Sequence, residues 1–161
     1  MRVWSRGREW GRGGGGAGLR LAVLACALLA AAGPTRATPL PAFRVVVHVD
    51  NPVASVTRSE LARIFLKKRR TWPGGLHALV IERPESLPLR HAFSAGVLGR
   101  DVQAVNTYWQ AQVLTGRASA PVEKETDLEA MTVVAAHRGA VTYVGAETPL
   151  VAGVKLLRVE P

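Results

Sequence analysis

Three side chains in one short stretch have the chemistry to hold an anion. Arg83, Ser86 and Arg90 lie between an apolar run and a helix-like pattern. A guanidinium presents its N–H donors in a rigid fork that matches an oxyanion such as phosphate. A helix start adds unpaired backbone N–H groups and the positive end of its dipole, both of which favour negative charge. The stretch therefore predicts a binding seat for a small oxyanion.

A strand and a helix must position these side chains. The run 77–82 is mostly apolar and predicts a buried strand. Pro88 suits the first turn of a helix, and Ser86 is expected to cap that helix. The same residues also fit an ordinary surface turn with solvated arginines, so both interpretations remain open from this pattern alone.

Residues 1–37 have the pattern of a secretory signal. A basic start is followed by a Leu/Ala/Val-rich run at 21–32 and by small residues at 35–37 that suit cleavage. The run is shorter than the roughly 20 residues of a membrane span. We therefore expect a signal peptide at 1–37, a single domain at 38–161, and a periplasmic or secreted protein.

Removing the predicted signal changes the charge balance of the chain. The whole sequence has a formal net charge of +9, whereas residues 38–161 hold fifteen Lys and Arg against eleven Asp and Glu, a net charge of +4. Basic residues are not interleaved with aromatic ones as in single-strand binders, so no nucleic-acid partner is predicted. The single cysteine, Cys26, falls inside the predicted signal, which excludes disulfides and thiol catalysis from the domain.

Strand-like and helix-like patterns alternate along the domain. Alternation of this kind predicts an α/β fold with a mostly parallel sheet flanked by helices. Capping-box patterns at Thr57 and Thr126 and an aspartate at 101 mark three helix starts, and a cationic run at 67–70 is interpreted as a solvated helix end. Leu128, together with Met131, Val134 and Ala135, is expected on the buried face of the last helix, and Gly139 at its C-cap. The predicted strands are 43–49, 77–82, 140–144 and 154–159.

No catalytic set is recognisable in the sequence. The histidines are scattered, and no P-loop, dinucleotide fingerprint or nucleophile elbow is present. His48 and Asp50 are spaced to form a metal pair or half of a triad, although such pairs are more often structural. We therefore predict that the protein is not an enzyme and uses no cofactor or metal.

Several motifs together resemble those of a known family. The chain is similar to the phosphate-type periplasmic substrate-binding proteins of ABC transporters, and in particular to short, single-lobe phosphate-binding-like members. The similarity extends over 45–159, nearly the whole predicted domain. The segments that carry it are 61–68, Trp72, 80–93, Tyr108–Trp109, 115–117 and 139–144.

The resemblance implies a fold, a ligand and a partner. The fold would be a single lobe of a type 2 periplasmic binding protein, and the ligand would be phosphate or a similar small oxyanion, held weakly by half a cleft. Arg83 matches the position of the family's anion-binding arginine, and Ser86 the position of its first loop hydroxyl. A membrane transporter or receptor would be the protein partner.

Two functions follow from these observations. The first is a secreted solute-binding-like protein linked to ABC-type uptake or sensing, with Arg83, Ser86 and Arg90 as ligand contacts. The second is an accessory or interaction module that retains the fold without the ligand. Leu87 and Pro88 replace the glycine and threonine of the family's loop and favour the second function, because Pro88 lacks an N–H donor.

Overall fold

The computed structural model describes residues 40–161, which are built around a five-stranded sheet. The prediction of a signal peptide at 1–37, with Cys26, lies outside the described residues. A separate parallel pair of strands is formed by β2 (Ser55–Thr57) and β7 (Arg158–Glu160). The central sheet consists, in spatial order, of β4 (Val122–Glu123), β3 (Leu79–Glu82), β5 (Ala140–Gly145), β1 (Phe43–His48) and β6 (Val154–Leu156).

Strand direction in the central sheet is uniform with one exception. β3 pairs in parallel with both β4 and β5, whereas β1 is antiparallel to β5 and to β6. Four strands therefore run one way and β1 runs the other. The prediction of a mostly parallel sheet flanked by helices is confirmed, and the reversal of β1 is a feature that the strand pattern did not predict.

Helices cover both faces of the sheet. One face carries α1 (Arg58–Phe65), α2 (Pro88–Phe93) with a π-helical turn at Ser94–Leu98, and α3 (Val102–Leu114). The other face carries α4 (Asp127–Ala136), whose Met131 packs in a cluster with Val46 and Val144. Along β1, and likewise along β5, successive side chains thus belong to different clusters, as the alternation of side chains along a strand requires.

The helix starts follow the sequence signals closely. Thr57 and Thr126 each accept a hydrogen bond, through the side chain, from the backbone N–H three residues on. The glutamate side chains at those later positions accept the backbone N–H of the threonine, so both predicted capping boxes are present. Asp101 accepts a bond from the backbone N–H of Ala104 at 2.7 Å and caps α3 as predicted. These local contacts fix where three helices begin.

Two expectations about helices are wrong. Leu87, not Ser86, occupies the N-cap of α2, and it makes no side-chain cap, because Pro88 takes the first helical position. Leu128 is 61% exposed rather than buried. At 100° per residue it lies roughly 120° around α4 from Val134, which is at the centre of the buried face.

The end of the chain and the end of α4 also differ from prediction. The expected strand at 154–159 is two strands in different sheets, β6 and β7, separated by Leu157, whose N–H donates to the carbonyl of Val45. α4 ends with His137 as its C-cap, so Gly139 is not the cap. Within the described part of the chain, no helix is long and apolar enough to cross a membrane.

Removing the cap of α3 gives a first test of this local account. Asp101→Ala is expected to lower the free energy of unfolding by about 1 kcal/mol, because a helix N–H loses its acceptor. Asp101→Asn keeps a capping oxygen and should stay within a few tenths of a kcal/mol of the parent. Urea unfolding measures both variants, and equal losses in the two would contradict the capping role.

Candidate functional site

The predicted seat lies where β3 ends, at the carboxyl edge of the parallel strands. We call residues 82–90 the β3 corner. Arg83 is almost fully buried there, with 3% of its surface exposed. Its Nη1 is 2.8 Å from Oδ1 of Asp127, the first residue of α4, and its Nη2 donates to the carbonyl of Glu125 at 2.6 Å. Arg83 therefore ties the end of β3 to the start of α4.

Asp127 has further partners besides Arg83. Its Oδ2 accepts the backbone N–H of Gly145 at 3.0 Å and the hydroxyl of Thr148. One carboxylate thus joins the end of β3 and the end of β5. An ionised carboxylate with this set of donors is well satisfied, and it fixes the position of the Arg83 guanidinium.

Arg90 is paired on the other side of the corner. It is 2% exposed, and its Nη1 contacts Oε2 of Glu82, which is equally buried. Oε1 of Glu82 accepts the hydroxyl of Tyr143 and the backbone N–H of Arg83. Tyr143 in turn stacks on Phe93 of α2, with ring centroids 3.9 Å apart. The Glu82–Arg90 pair is therefore embedded in the larger apolar core.

Burial controls the ionisation of this second pair. Desolvation raises the pKa of Glu82, while the Arg90 charge and the donated hydrogen bonds oppose that shift. Burial, followed by the neighbouring Glu82 carboxylate, raises the pKa of Tyr143. Tyr143 therefore remains a protonated hydrogen-bond donor at any ordinary pH.

The three predicted contacts do not converge on one point. Arg83 faces α4, whereas Arg90 and Glu82 face Tyr143 and the side of the sheet that carries α2. Ser86 is exposed on the turn between them. The structure thus brings each arginine to a carboxylate, and it places Ser86 with neither.

Two buried nitrogens of Arg83, Nε and Nη1, make no hydrogen bond within residues 40–161. Nη1 is paired with Asp127, so Nε is the nitrogen of Arg83 without a partner. An unsatisfied buried donor costs on the order of 1–3 kcal/mol, and the cost is larger for a charged group. This donor lies at the strand end where open α/β sheets bind ligands. It is therefore an unsatisfied polar group of the β3 corner.

An open cavity of about 510 Å³ lies beside the second ion pair. Glu82 and Arg90 contribute to its wall, and the rest is formed by α3, the loop before β4, and Glu123 of β4. Val113 and Leu114 at the end of α3 are exposed at its margin, with 51% and 86% of their surfaces accessible. The cavity is thus mainly apolar, with a neutralised ion pair at one side.

Two of the paired carboxylates were not anticipated as part of the site. Glu82 and Asp127 neutralise the predicted arginines, and the signal for Glu82 was its place at the end of a buried strand, where a charge needs a partner. His48 accepts the backbone N–H of Asp50 at 2.9 Å in a local turn. Among residues 40–161, no three His, Cys, Asp or Glu side chains are grouped as a metal site.

Comparisons with known proteins identify solved structures with a similar fold. No protein-family model matches the sequence, and no curated protein matches it. Solved structures do match, and three of them each match over 74% of this chain. An ABC-type phosphate transport receptor from Vibrio cholerae is 18% identical with a TM-score of 0.57. A putative phosphate ABC transporter substrate-binding protein with bound phosphate, from Clostridium perfringens, is 15% identical with a TM-score of 0.58.

A third structure, PstS from Borrelia burgdorferi, is 12% identical with a TM-score of 0.55. The matched regions cover 46%, 45% and 47% of these three chains, so this protein spans about half of their length. The chain has the α/β fold of one part of a phosphate ABC transporter substrate-binding protein. The neighbours are transport receptors and binding proteins, not enzymes.

Proposed function

We propose that the protein is a secreted or periplasmic solute-binding-like protein for phosphate or a similar small oxyanion, serving ABC-type uptake or sensing. The observation that carries this proposal is the unpartnered Nε of Arg83 at the carboxyl edge of the sheet. The fold shared with phosphate-binding transport receptors supports the same ligand class. Asp127 fixes the guanidinium in place before the ligand arrives, which lowers the cost of ordering it.

Weak binding is expected from this geometry. The Arg83 charge is already shared with Asp127, and α2 begins at Leu87–Pro88 without a side-chain cap. One lobe on its own covers one side of a bound anion, and water on the other side screens the attraction of the anion to a cation. Ser86 and Arg90 were predicted as further contacts. Ser86 is exposed on the turn and stays a proposed contact, whereas Arg90 is already paired with Glu82.

The test is titration calorimetry of the protein with phosphate and sulfate. Arg83→Lys keeps a positive charge beside Asp127 and removes Nε and the guanidinium fork, so we expect affinity to fall about tenfold or more. Arg158→Lys, at an exposed position on β7, is the matched control and should bind like the parent. Saturable heat that is unchanged in Arg83→Lys would reject Arg83 as the ligand contact.

A second candidate is an interaction module that keeps this fold without a small ligand. The observation that favours it is that both buried arginines already have a carboxylate partner, Asp127 for Arg83 and Glu82 for Arg90. The partner would then be another protein of a transport or sensing system. Flat titrations with every oxyanion, on protein shown to be folded by circular dichroism, would reject the first candidate and favour this one.

A further inference from the structure

A second group of positively charged side chains lies at the opposite end of β3 from the β3 corner. It lines a cavity of about 290 Å³ between the end of α1, the residues that precede β3, and the loop that follows α3. We call it the basic pocket. β3 runs from this pocket at Ala78 towards Arg83, so the length of the strand separates it from the predicted seat. Its polar lining residues are Lys67, Arg69, Arg70, His77, Arg117 and Ser119.

Two cations of the basic pocket are held by neutral groups. Lys67 Nζ donates to the carbonyl of Ser119 at 2.8 Å, and Arg70 Nη2 donates to the carbonyl of Arg117 at 2.9 Å. These bonds join the segment after α1 to the loop after α3 without cancelling any charge. Burial, and secondarily the Arg70 charge, lower the pKa of Lys67, as expected where like charges are drawn together.

The positive charge of the pocket is largely unopposed. No carboxylate is among its lining residues. Arg69 has a partner, Glu60, at 3.4 Å, but within the described part of the chain no ion pair involves Lys67, Arg70 or Arg117. This is the reverse of the β3 corner, where each arginine meets a carboxylate. The basic pocket thus groups three cations, Lys67, Arg70 and Arg117, that have no carboxylate partner among residues 40–161.

Capping of α1 does not account for this cluster. The last carbonyls of α1 already accept backbone N–H groups, Ala62 from Leu66 and Ile64 from Lys67. The carbonyl of Leu66 accepts the hydroxyl of Tyr108 at 2.8 Å. The side chains of Lys67 and Arg70 reach across to another loop instead. The carbonyls of Ala62, Ile64 and Leu66 therefore do not depend on Lys67 or Arg70 as capping donors.

We infer that the basic pocket binds a polyvalent phosphate anion, a diphosphate or oligophosphate group, with Lys67, Arg70 and Arg117 as its contacts. Three cations suit a ligand with several negative charges, and a guanidinium pairs with two phosphate oxygens at once. The inference concerns a different site and a different charge class from the proposed monophosphate function, and it does not depend on that function.

The experiment is titration calorimetry of the protein with inorganic diphosphate. The double variant Arg70→Gln/Arg117→Gln is expected to bind at least about tenfold more weakly than the parent. Arg58→Gln/Arg100→Gln removes the same charge from two exposed positions outside the pocket and should leave the affinity unchanged. Arg83→Lys, which tests the other site, should also leave it unchanged.

Two outcomes would overturn the inference. One is the absence of saturable diphosphate binding by the parent protein. The other is an equal loss in the two double variants, because that result would show general charge attraction rather than a site. Urea unfolding of both double variants establishes that each is folded. A loss of phosphate binding in Arg83→Lys, with diphosphate binding intact, separates the two sites.

Discussion

Replacing Glu82 by leucine is expected to lower the free energy of unfolding by about 3–5 kcal/mol. Leucine keeps most of the side-chain volume and removes both carboxylate oxygens. Arg90 would then be a buried cation without its partner, and the hydroxyl of Tyr143 would lose its acceptor. Breaking a buried ion pair by removing one member is costly for this reason, whatever the pair contributes when intact. Urea unfolding followed by circular dichroism measures the effect.

The companion variants make this prediction specific. In Glu82→Leu/Arg90→Met both charges are gone, and we expect most of the lost stability to return, because apolar replacements of a buried pair are often neutral. Glu123→Gln removes an exposed carboxylate from the neighbouring strand and should change stability by less than about 0.5 kcal/mol. If Glu82→Leu proved as stable as Glu123→Gln, that result would contradict the buried pairing of Glu82 with Arg90.

Gly139→Ala is expected to lower the free energy of unfolding by about 3 kcal/mol or more, at or above the upper range for overpacking. A β-carbon at this position would lie 1.8 Å from the carbonyl oxygen of His77, which is backbone and cannot rotate away. The carbonyl of Gly139 also accepts the indole N–H of Trp72 and the backbone N–H of Leu79. Moving the two segments apart would disturb both bonds at the start of β3 and β5.

Gly96→Ala is the matched control for this substitution. A β-carbon there would meet the ring of Phe43 at 3.4 Å, an ordinary contact with a side chain that can adjust. The position lies in a helical turn, where alanine is preferred to glycine by about 1 kcal/mol. Gly96→Ala should therefore be neutral or slightly stabilising. Equal unfolding free energies for the two alanine variants would contradict the close approach of Gly139 to His77.

Local structure was largely predictable from the sequence. Capping at Thr57, Asp101 and Thr126 depends on residues three positions apart, so the pattern is visible in the chain itself. The mostly parallel α/β sheet followed from the order of the elements. The direction of β1 did not, because it is set by pairing with β5, almost a hundred residues away in sequence.

The sequence indicated that Arg83 follows a buried strand, but it did not indicate the carboxylate partners of Arg83 and Arg90. The sequence places Arg83 at a strand end, but its partner Asp127 is distant in the chain and was interpreted only as part of a helix start. Glu82 and Arg90 are eight residues apart, and only the bend of the corner brings them together. Long-range neutralisation of this kind depends on tertiary packing, which residue spacing does not encode.

The most direct test of the proposed function is a crystal structure of the protein grown in saturating phosphate. The proposal predicts an anion at the β3 corner, within hydrogen-bonding distance of Arg83 Nε, with the Arg83–Asp127 pair retained beside it. A structure in which Arg83 contacts only Asp127 and Glu125, and no anion lies at the corner, would contradict oxyanion binding at this site and favour the interaction module.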